Sequence, residues 1–370
     1  HFEARRQRQM CIRDSLEGVS PMLLPPAYVP DYDYQSANRY RYYENTGDKF
    51  DYTVYLKAEI PFRKNWLAYG DLQIRSVNYL INAIADDQTN LDFENSFLFF
   101  NPKAGLDYQI NKKSRLYAST AIANREPVRN DIIDYGVSDT ALPETLLDIE
   151  VGYQNRDKNG FFEANIYLME YSNQLVPTGA INDVGAALRM NVNRSHRRGL
   201  ELAGERKLTD QFIIGFNTTL SSNRISEFDE VMIDYLDGEA INTVFKNSQI
   251  AMSPNTISNG MIQWNYDMNK NIQGHLQLRA KYVGRQYLDN TENETRSLNP
   301  YRTIDFQWLI SSRLGDLRLD IMNLFDATYA PNGYTYGYLY GGARTDENFV
   351  FPMAGRNFFL TYSIKLDGKK

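Results

Sequence analysis

Short and long connections take turns along this chain, and the segments they join alternate apolar and polar residues. The short polar links fall near Pro61–Asn65, Asn111–Lys113, Arg156–Gly160, Leu208–Gln211, Asp267–Asn271 and Arg313–Gly315. Between them lie long ones: Ile81–Ser96, Asn124–Glu144, Ser172–Ser195, Arg224–Asn255, Arg285–Asn299 and Phe325–Ala354. Compact soluble domains seldom carry several unstructured loops beyond about 15 residues. A strictly alternating order of tight turns and long loops describes an up-and-down meander with one plain end and one elaborated end.

The joined segments have a period of two, which is the strand period. Tyr52, Val54, Leu56, Ala58 and Ile60 share one face, and Asp51, Thr53, Tyr55, Lys57 and Glu59 share the other. Leu276, Leu278, Ala280 and Tyr282 oppose His275, Gln277, Arg279 and Lys281 in the same way, and Ile304, Phe306, Trp308 and Ile310 oppose Thr303, Asp305, Gln307 and Leu309. Phe358, Leu360, Tyr362, Ile364 and Leu366 line one face of the last segment. The polar faces carry full charges, among them Asp148 with Glu150, Glu201 with Glu205 and Arg279 with Lys281. One such strand could belong to the wet side of a sandwich. A long series fits an all-β, transmembrane antiparallel barrel with a polar lumen and an apolar exterior. Strands of about 12 residues at about 3.3 Å each, tilted near 45°, rise about 28 Å, the thickness of a hydrocarbon core. The expectation is roughly 14 strands in one sheet, including one near Asn38–Tyr43 that ends at an "NTGD" turn, with short periplasmic turns and long extracellular loops.

Composition narrows the function. Aromatic residues make up 13% of the chain, with 27 Tyr and 19 Phe; they favour strands and build the interfacial girdles of barrels. The formal net charge of -6 offers no basic footprint for nucleic acid. One cysteine, Cys11, excludes a disulfide framework, and three histidines (His1, His196, His275) are too scattered for a conventional zinc site, so no metal or cofactor is expected. There is no P-loop, no G-x-G-x-x-G after a strand and no H-E-x-x-H. A Ser–His–Asp site would rest on His196 or His275, and His275 falls more simply among lumen-lining residues. Asp148 and Glu150 stand about 7 Å apart along a strand, but acids on one face are ordinary in a polar lumen. The chain is not expected to be an enzyme. No secretory signal opens it. "RQRQMCIRDS" (Arg6–Ser15) resembles translated sequencing-adaptor sequence, so residues 1–15 are expected to be non-native and 16–370 to be a partial barrel domain.

Several stretches resemble TonB-dependent receptors, above all the iron-chelate type of Bacteroidota. They are "YGDLQIRSVNY" (Tyr69–Tyr79), "ANREPVRND" (Ala123–Asp131), "YSNQLVPTGAINDVG" (Tyr171–Gly185), "RRGLEL" (Arg197–Leu202), "YVGRQYLDNT" (Tyr282–Thr291) and "NLFDATYAPNGYTY" (Asn323–Tyr336). They occur in the order that the family's barrel would show, and the likeness runs from about Tyr28 onward. The resemblance implies a 22-stranded barrel of the outer membrane, plugged by an N-terminal domain whose TonB box draws energy from the inner membrane. On that reading the plug and the first strands are missing, and TonB would be a partner only through that absent part. The implied cargo is a ferric siderophore or similar chelate; cobalamin, haem, an oligosaccharide, or a passive porin role are the alternatives. The end, "KLDGKK", lacks the terminal aromatic of many outer-membrane proteins.

Two groups of residues are candidates for ligand binding. Arg125 and Arg129 of "ANREPVRND" stand where a strand leaves the membrane, and guanidinium groups hold carboxylates bidentately. The competing reading gives these arginines, with Glu126, to intra-barrel ion pairs or plug contacts. Tyr334, Tyr336 and Tyr338 in "GYTYGYLYGG" (Gly333–Gly342) could form an aromatic loop tip, or could equally be loop packing with glycine supplying flexibility.

Overall fold

The computed structural model describes residues 3–7, 44–84, 92–135, 141–181, 187–236 and 240–364. The early strands are β1 (Glu3–Gln7), β2 (Glu44–Arg63), β3 (Trp66–Ile84), β4 (Phe93–Gln109) and β5 (Ser114–Arg125), followed by a short helix α1 (Arg129–Tyr135). Then come β6 (Glu144–Asp157), β7 (Gly160–Ile181), β8 (Ala187–Lys207), β9 (Phe212–Ile233), β10 (Ala240–Gln249), β11 (Thr256–Asn269) and β12 (Ile272–Val283). The last part holds β13 (Gln286–Tyr287), β14 (Ser297–Leu298), β15 (Tyr301–Ser312), β16 (Gly315–Met322), β17 (Asn332–Tyr340), β18 (Ala343–Phe351) and β19 (Asn357–Ser363). One sheet runs in the order β1 to β9, then β11, β12, β15, β16 and β19, with β10 pairing β9 off that path. Two small hairpins, β13–β14 and β17–β18, stand outside it. The meander of roughly 14 strands expected from alternation is therefore what forms. The strand expected at Asn38–Tyr43 and the alternation at Leu366 lie outside the described residues.

The short links are tight turns. Lys64 and Asn65 alone join β2 to β3, with Asn65 in the left-handed region at φ 67°, a conformation that Asn tolerates better than most residues. Gly160 and Gly315 begin β7 and β16 at φ 155° and 144°, and a Cβ on either would run into a carbonyl oxygen, of Glu205 and Ser363 respectively. Only glycine fits these two turn exits.

Two expectations fail. "NTGD" is no turn but the beginning of β2. The long links are also far from structureless: β7, β8 and β9 reach 22, 21 and 22 residues, well past the roughly 12 that span a membrane. The reason is a second apolar core. Val176, Val192, Ile225, Phe228 and Ile250 bury together, with Met190 and Phe245 packed against them. These residues do not alternate cleanly with polar ones, so the pattern reads as loop, while their burial holds the strand ends paired.

The chain divides into two compact units: His1–Ala58 with Gly70–Lys103 and Ile122–Thr145, and Glu59–Tyr69 with Ala104–Ala121 and Leu146–Lys370. In the first, Val77, Tyr79, Phe97 and Phe99 form a buried cluster, and Ile132 of α1 docks on Ile81 of β3. The helix, absent from the sequence reading, starts after Pro127; the Asp131 carboxylate accepts the Val128 N–H at 2.9 Å and closes its first turn.

In the second unit the two faces of the sheet are chemically distinct. Register sets Ile214, Ile262, Leu278, Phe306, Ile321 and Phe358 in one row across six strands. Phe212, Trp264, Leu276, Trp308, Leu319 and Leu360 form the next row on the same face. On the other face Gln277 donates to Gln263 at 2.9 Å, Gln307 donates to Asp320 at 2.7 Å, and His275 lies 3.1 Å from Gln307. Three aromatic contacts lie near the short turns: Trp66 on Tyr108 at 4.6 Å, Phe212 on Trp264 at 6.4 Å, and Trp308 donating to the Tyr266 hydroxyl at 2.6 Å. An aromatic belt beside an apolar band is the signature of a membrane interface.

Candidate functional site: an arginine-bearing strand exit and a tyrosine-faced hairpin

"REPVR" sits where it was expected, at the end of β5, but its members part ways. Glu126 is buried and is the hub of a charge cluster. It accepts Lys49 Nζ at 2.8 Å and Arg75 Nη1 at 2.8 Å, while Arg75 also forks onto Asp51 at 2.7 and 3.0 Å. Lys49 in turn lies 5.0 Å from the centre of the Tyr79 ring. Arg125 pairs with Glu144 of β6 at 2.9 Å and remains half-exposed. Arg129, the first residue of α1, has its Nε buried with no hydrogen-bond partner among the described residues. Of the two candidate arginines, one is thus engaged in the wall and one keeps an unused donor. A buried donor without a partner costs about 1–3 kcal/mol.

The tyrosines belong to the second unit, and it brings all three together. Alternation along β17 sends Tyr334, Tyr336 and Tyr338 to one face, where Phe349 and Phe351 of β18 join them. Tyr334 stacks on Phe349 at 4.9 Å, Tyr336 on the same ring at 6.0 Å, and Tyr338 follows Tyr336 at 6.4 Å. Tyr235, just past the end of β9, closes the row edge-on at 5.8 Å from Tyr338. Glu347 accepts the Tyr336 hydroxyl at 3.0 Å, and this hydrogen bond raises the phenol above its ordinary value.

The opposite face of the hairpin is the buried one, although it holds the polar residues. Thr335 and Leu339 are nearly inaccessible, and Asp346 meets Arg296 there. Gly333 and Gly337 are glycines because of close approach: a Cβ at 337 would strike the Arg296 guanidinium of the main body and the Asp346 carboxylate of β18, and one at 333 the Phe349 carbonyl of β18. Gly341 and Gly342, at φ 58° and 77°, make the two-residue turn with both angles positive that a tight hairpin requires. Asp234 accepts both of their N–H groups, at 2.9 and 2.7 Å. Glycine in "GYTYGYLYGG" therefore serves close packing and a fixed turn, which replaces the flexible loop tip of the sequence reading.

The sequence reading missed Arg296. It lies in "NETRSL", where a charged residue is expected to be solvated, yet it is only 2% exposed. "YVGRQYLDNT" also acquires a structural meaning. Asn290 donates to the Pro177 carbonyl at 2.6 Å and accepts the Ala251 N–H at 2.8 Å, and Asp289 bonds Arg296. A cleft of about 390 Å³ opens on the polar face over β6 to β9, lined among others by Glu150, Tyr167, Arg197 and Glu201. Among the described residues no cluster of His, Cys, Asp and Glu could hold a metal ion.

The family model described as TonB dependent receptor-like, beta-barrel matches residues 22–324. No curated protein matches the chain in sequence. Similar solved structures include the siderophore receptor PiuA from Acinetobacter baumannii, 19% identical with a TM-score of 0.66 over 87% of this chain and 44% of that one. The ferric-catecholate import receptor Fiu from E. coli, in its closed form, is 16% identical, with a TM-score of 0.65 over 97% of this chain and 50% of that one. The ferric yersiniabactin uptake receptor FyuA from Yersinia pestis is 13% identical, with a TM-score of 0.64 over 85% and 46%. At such identities the likeness is one of fold. The chain spans about half the length of these structures.

Proposed function

The chain belongs to the TonB-dependent receptors, through their β-barrel domain, and from that premise we propose that it is part of an outer-membrane transporter taking up a ferric siderophore or similar iron chelate. The family is one of receptors and not of enzymes. The observation that carries the choice of ligand is the tyrosine row of β17. A conjugated chelate such as a catecholate or phenolate offers flat faces, and stacked rings complement them at low entropic cost. Arg129, whose Nε has no partner among the described residues, is taken separately as a candidate charge-assisted donor to anionic oxygens. The names of the similar receptors, which concern ferric catecholate, ferric yersiniabactin and siderophores, point the same way. Energy would come from TonB acting on a plug that precedes the barrel, and the lipid-facing contacts would be those of the apolar rows on β9 to β19.

The test is uptake of radiolabelled iron by cells that lack their own chelate receptors and express the intact gene. Ferric catecholate, hydroxamate and carboxylate complexes would be offered in turn, with and without TonB. Uptake of one class that needs TonB and falls on Arg129→Ala is the expected result. Uptake that ignores TonB would make the protein a passive pore, and no uptake of any iron complex would remove iron chelates as the cargo.

A further inference from the structure

Arg296 is, with Asp289, the most buried charged residue among the described ones, and it lies at the meeting point of three segments far apart in sequence. Its Nη1 bonds Glu230 of β9 at 2.6 Å and also reaches Asp289 in the strand-to-loop motif after β13. Its Nη2 bonds Asp346 of β18. Arg344, one turn of the pleat away, forks onto Glu230 with both bonds at 3.0 Å and onto Asp346 at 2.9 Å. Two guanidiniums and three carboxylates thus form one network, and the fold adds a second anchor where Asp234 caps the hairpin turn at Gly341 and Gly342. The hairpin is outside the main sheet, so no ladder of backbone hydrogen bonds carries it; beside these two anchors stand the isolated bridge of Asp234 with Leu339 and the Asn348 amide, which donates to the Thr295 carbonyl at 2.9 Å.

We propose that Arg296 is a positioning residue, a buried clamp that holds the β17–β18 hairpin against β9 and so presents Tyr334, Tyr336 and Tyr338 as a preformed row. The clamp itself follows from the contacts; its value for ligand binding rests on the reading of the tyrosine row given above. A hairpin of two strands is marginal on its own in water, so the stacked row stays ordered only while the inner face is docked. Ordering a row of free side chains at the moment of binding would weaken affinity, and the clamp removes that cost. Lysine cannot replace arginine here, because a point charge cannot fork onto three carboxylates at fixed angles.

The test uses hydrogen exchange and binding on the intact receptor in detergent. Arg296→Met is expected to speed exchange of the β17–β18 amides by at least about tenfold while leaving β15 and β16 unchanged, and Arg296→Lys is expected to restore little of the protection. Should Arg296→Met fail to fold, Asp346→Asn cuts the hairpin's own arm of the clamp and is expected to act in the same direction. Unchanged exchange in the folded variants overturns the proposal. The binding arm uses the ferric complex of 2,3-dihydroxybenzoate as the probe. Tyr336→Ala is expected to weaken its binding, and to weaken it less in the Arg296→Met background, because the tyrosine contributes only while the hairpin is docked. If Tyr336→Ala leaves probe binding unchanged while exchange still rises in Arg296→Met, the clamp stands and the ligand reading of the tyrosines falls.

Discussion

The ring of Tyr117 on β5 lies over the backbone of Gly152 on β6, in the space that a Cβ at position 152 would fill. Tyr69 covers Gly105, Tyr167 covers Gly199 and Tyr266 covers Gly274 in the same manner. A sheet rarely benefits from glycine, which loses the most entropy on folding and offers nothing to pack. Here the missing side chain lets a large ring lie flat on the neighbouring strand, so the entropy lost at glycine is offset by aromatic burial. Gly152→Val is expected to expel the Tyr117 ring and its hydrogen bond to Asn165, and to cost about 1–3 kcal/mol as overpacking does. Urea unfolding of the intact barrel in detergent measures it; a Val variant as stable as the parent would mean that the ring moves aside without loss.

Leu278 sits in the middle of the row that Ile262 and Phe306 share, and Arg279 beside it points to the opposite face with Asp305. Leu278→Arg is expected to cost about 2–4 kcal/mol if this row meets the bilayer midplane, while Gln277→Arg, on the polar face, is expected to cost little. Folding titrations into lipid vesicles compare the two. Equal penalties for both substitutions would mean that the faces are not divided between lipid and lumen.

Acid should loosen the β17–β18 hairpin. Burial by itself would raise the Asp346 carboxyl, but its hydrogen bonds to Arg296 and Arg344 outweigh this and hold it below the ordinary carboxylate value. Asp234 is lowered likewise by the N–H groups of Leu236, Gly342 and Gly341. A depressed folded-state value means that the unfolded state binds protons more readily, so the contribution is complete above about pH 4, the ordinary carboxylate value. It is lost as pH falls through the depressed values, while the arginines stay charged throughout. Pepsin, active in acid and selective for aromatic and leucine side chains, is expected to cut beside Leu339 and Tyr340 at the hairpin turn increasingly as pH is lowered from about 4 to about 2. The Asp346→Asn protein should lack part of that dependence; a cleavage rate that is flat with pH in the parent would remove these carboxylates as the cause.

How far the sequence could be read depended on which physical force fixed each part. Where lipid and lumen face a strand, side chains must alternate, and that is why Leu278 and Arg279, Phe306 and Asp305 could be assigned to faces from their order alone. Turns were legible for a similar reason: Leu208–Gln211 joins β8 to β9 where the polar, turn-forming residues indicated. Beyond the membrane no such constraint operates. Val176, Ile225, Phe228 and Ile250 bury against each other across strand ends, a tertiary pattern with no period. Arg296 was illegible because its burial depends on Glu230 and Asp346, 66 and 50 residues away. Arg125 and Arg129 look equivalent in sequence; only the position of Glu144 opposite Arg125 tells them apart.

That difference leads to the sharpest expectation for the strand exit. Arg125 makes one ion pair at the surface, and such pairs contribute about 0–1 kcal/mol. Arg125→Ala should therefore leave stability nearly unchanged and affect chelate binding little, because its guanidinium already has a carboxylate partner. Arg129 has a buried Nε with no acceptor among the described residues. Removing it relieves an unmet donor, so Arg129→Ala should not lower stability and should raise it slightly, while chelate binding should weaken by about tenfold or more if a charge-assisted bond worth about 1.5–3 kcal/mol is lost. Glu126→Gln behaves in the opposite sense. It leaves Arg75 and Lys49 facing a neutral group in a part-buried cluster, and it should destabilise by about 2 kcal/mol, below the roughly 3–5 kcal/mol of a fully buried pair because both cations retain some solvent. Measuring stability and chelate affinity on the same variants separates the roles. A loss of stability without a loss of affinity in Arg129→Ala would assign Arg129 to the wall, and the ligand's anionic oxygens would then need another partner.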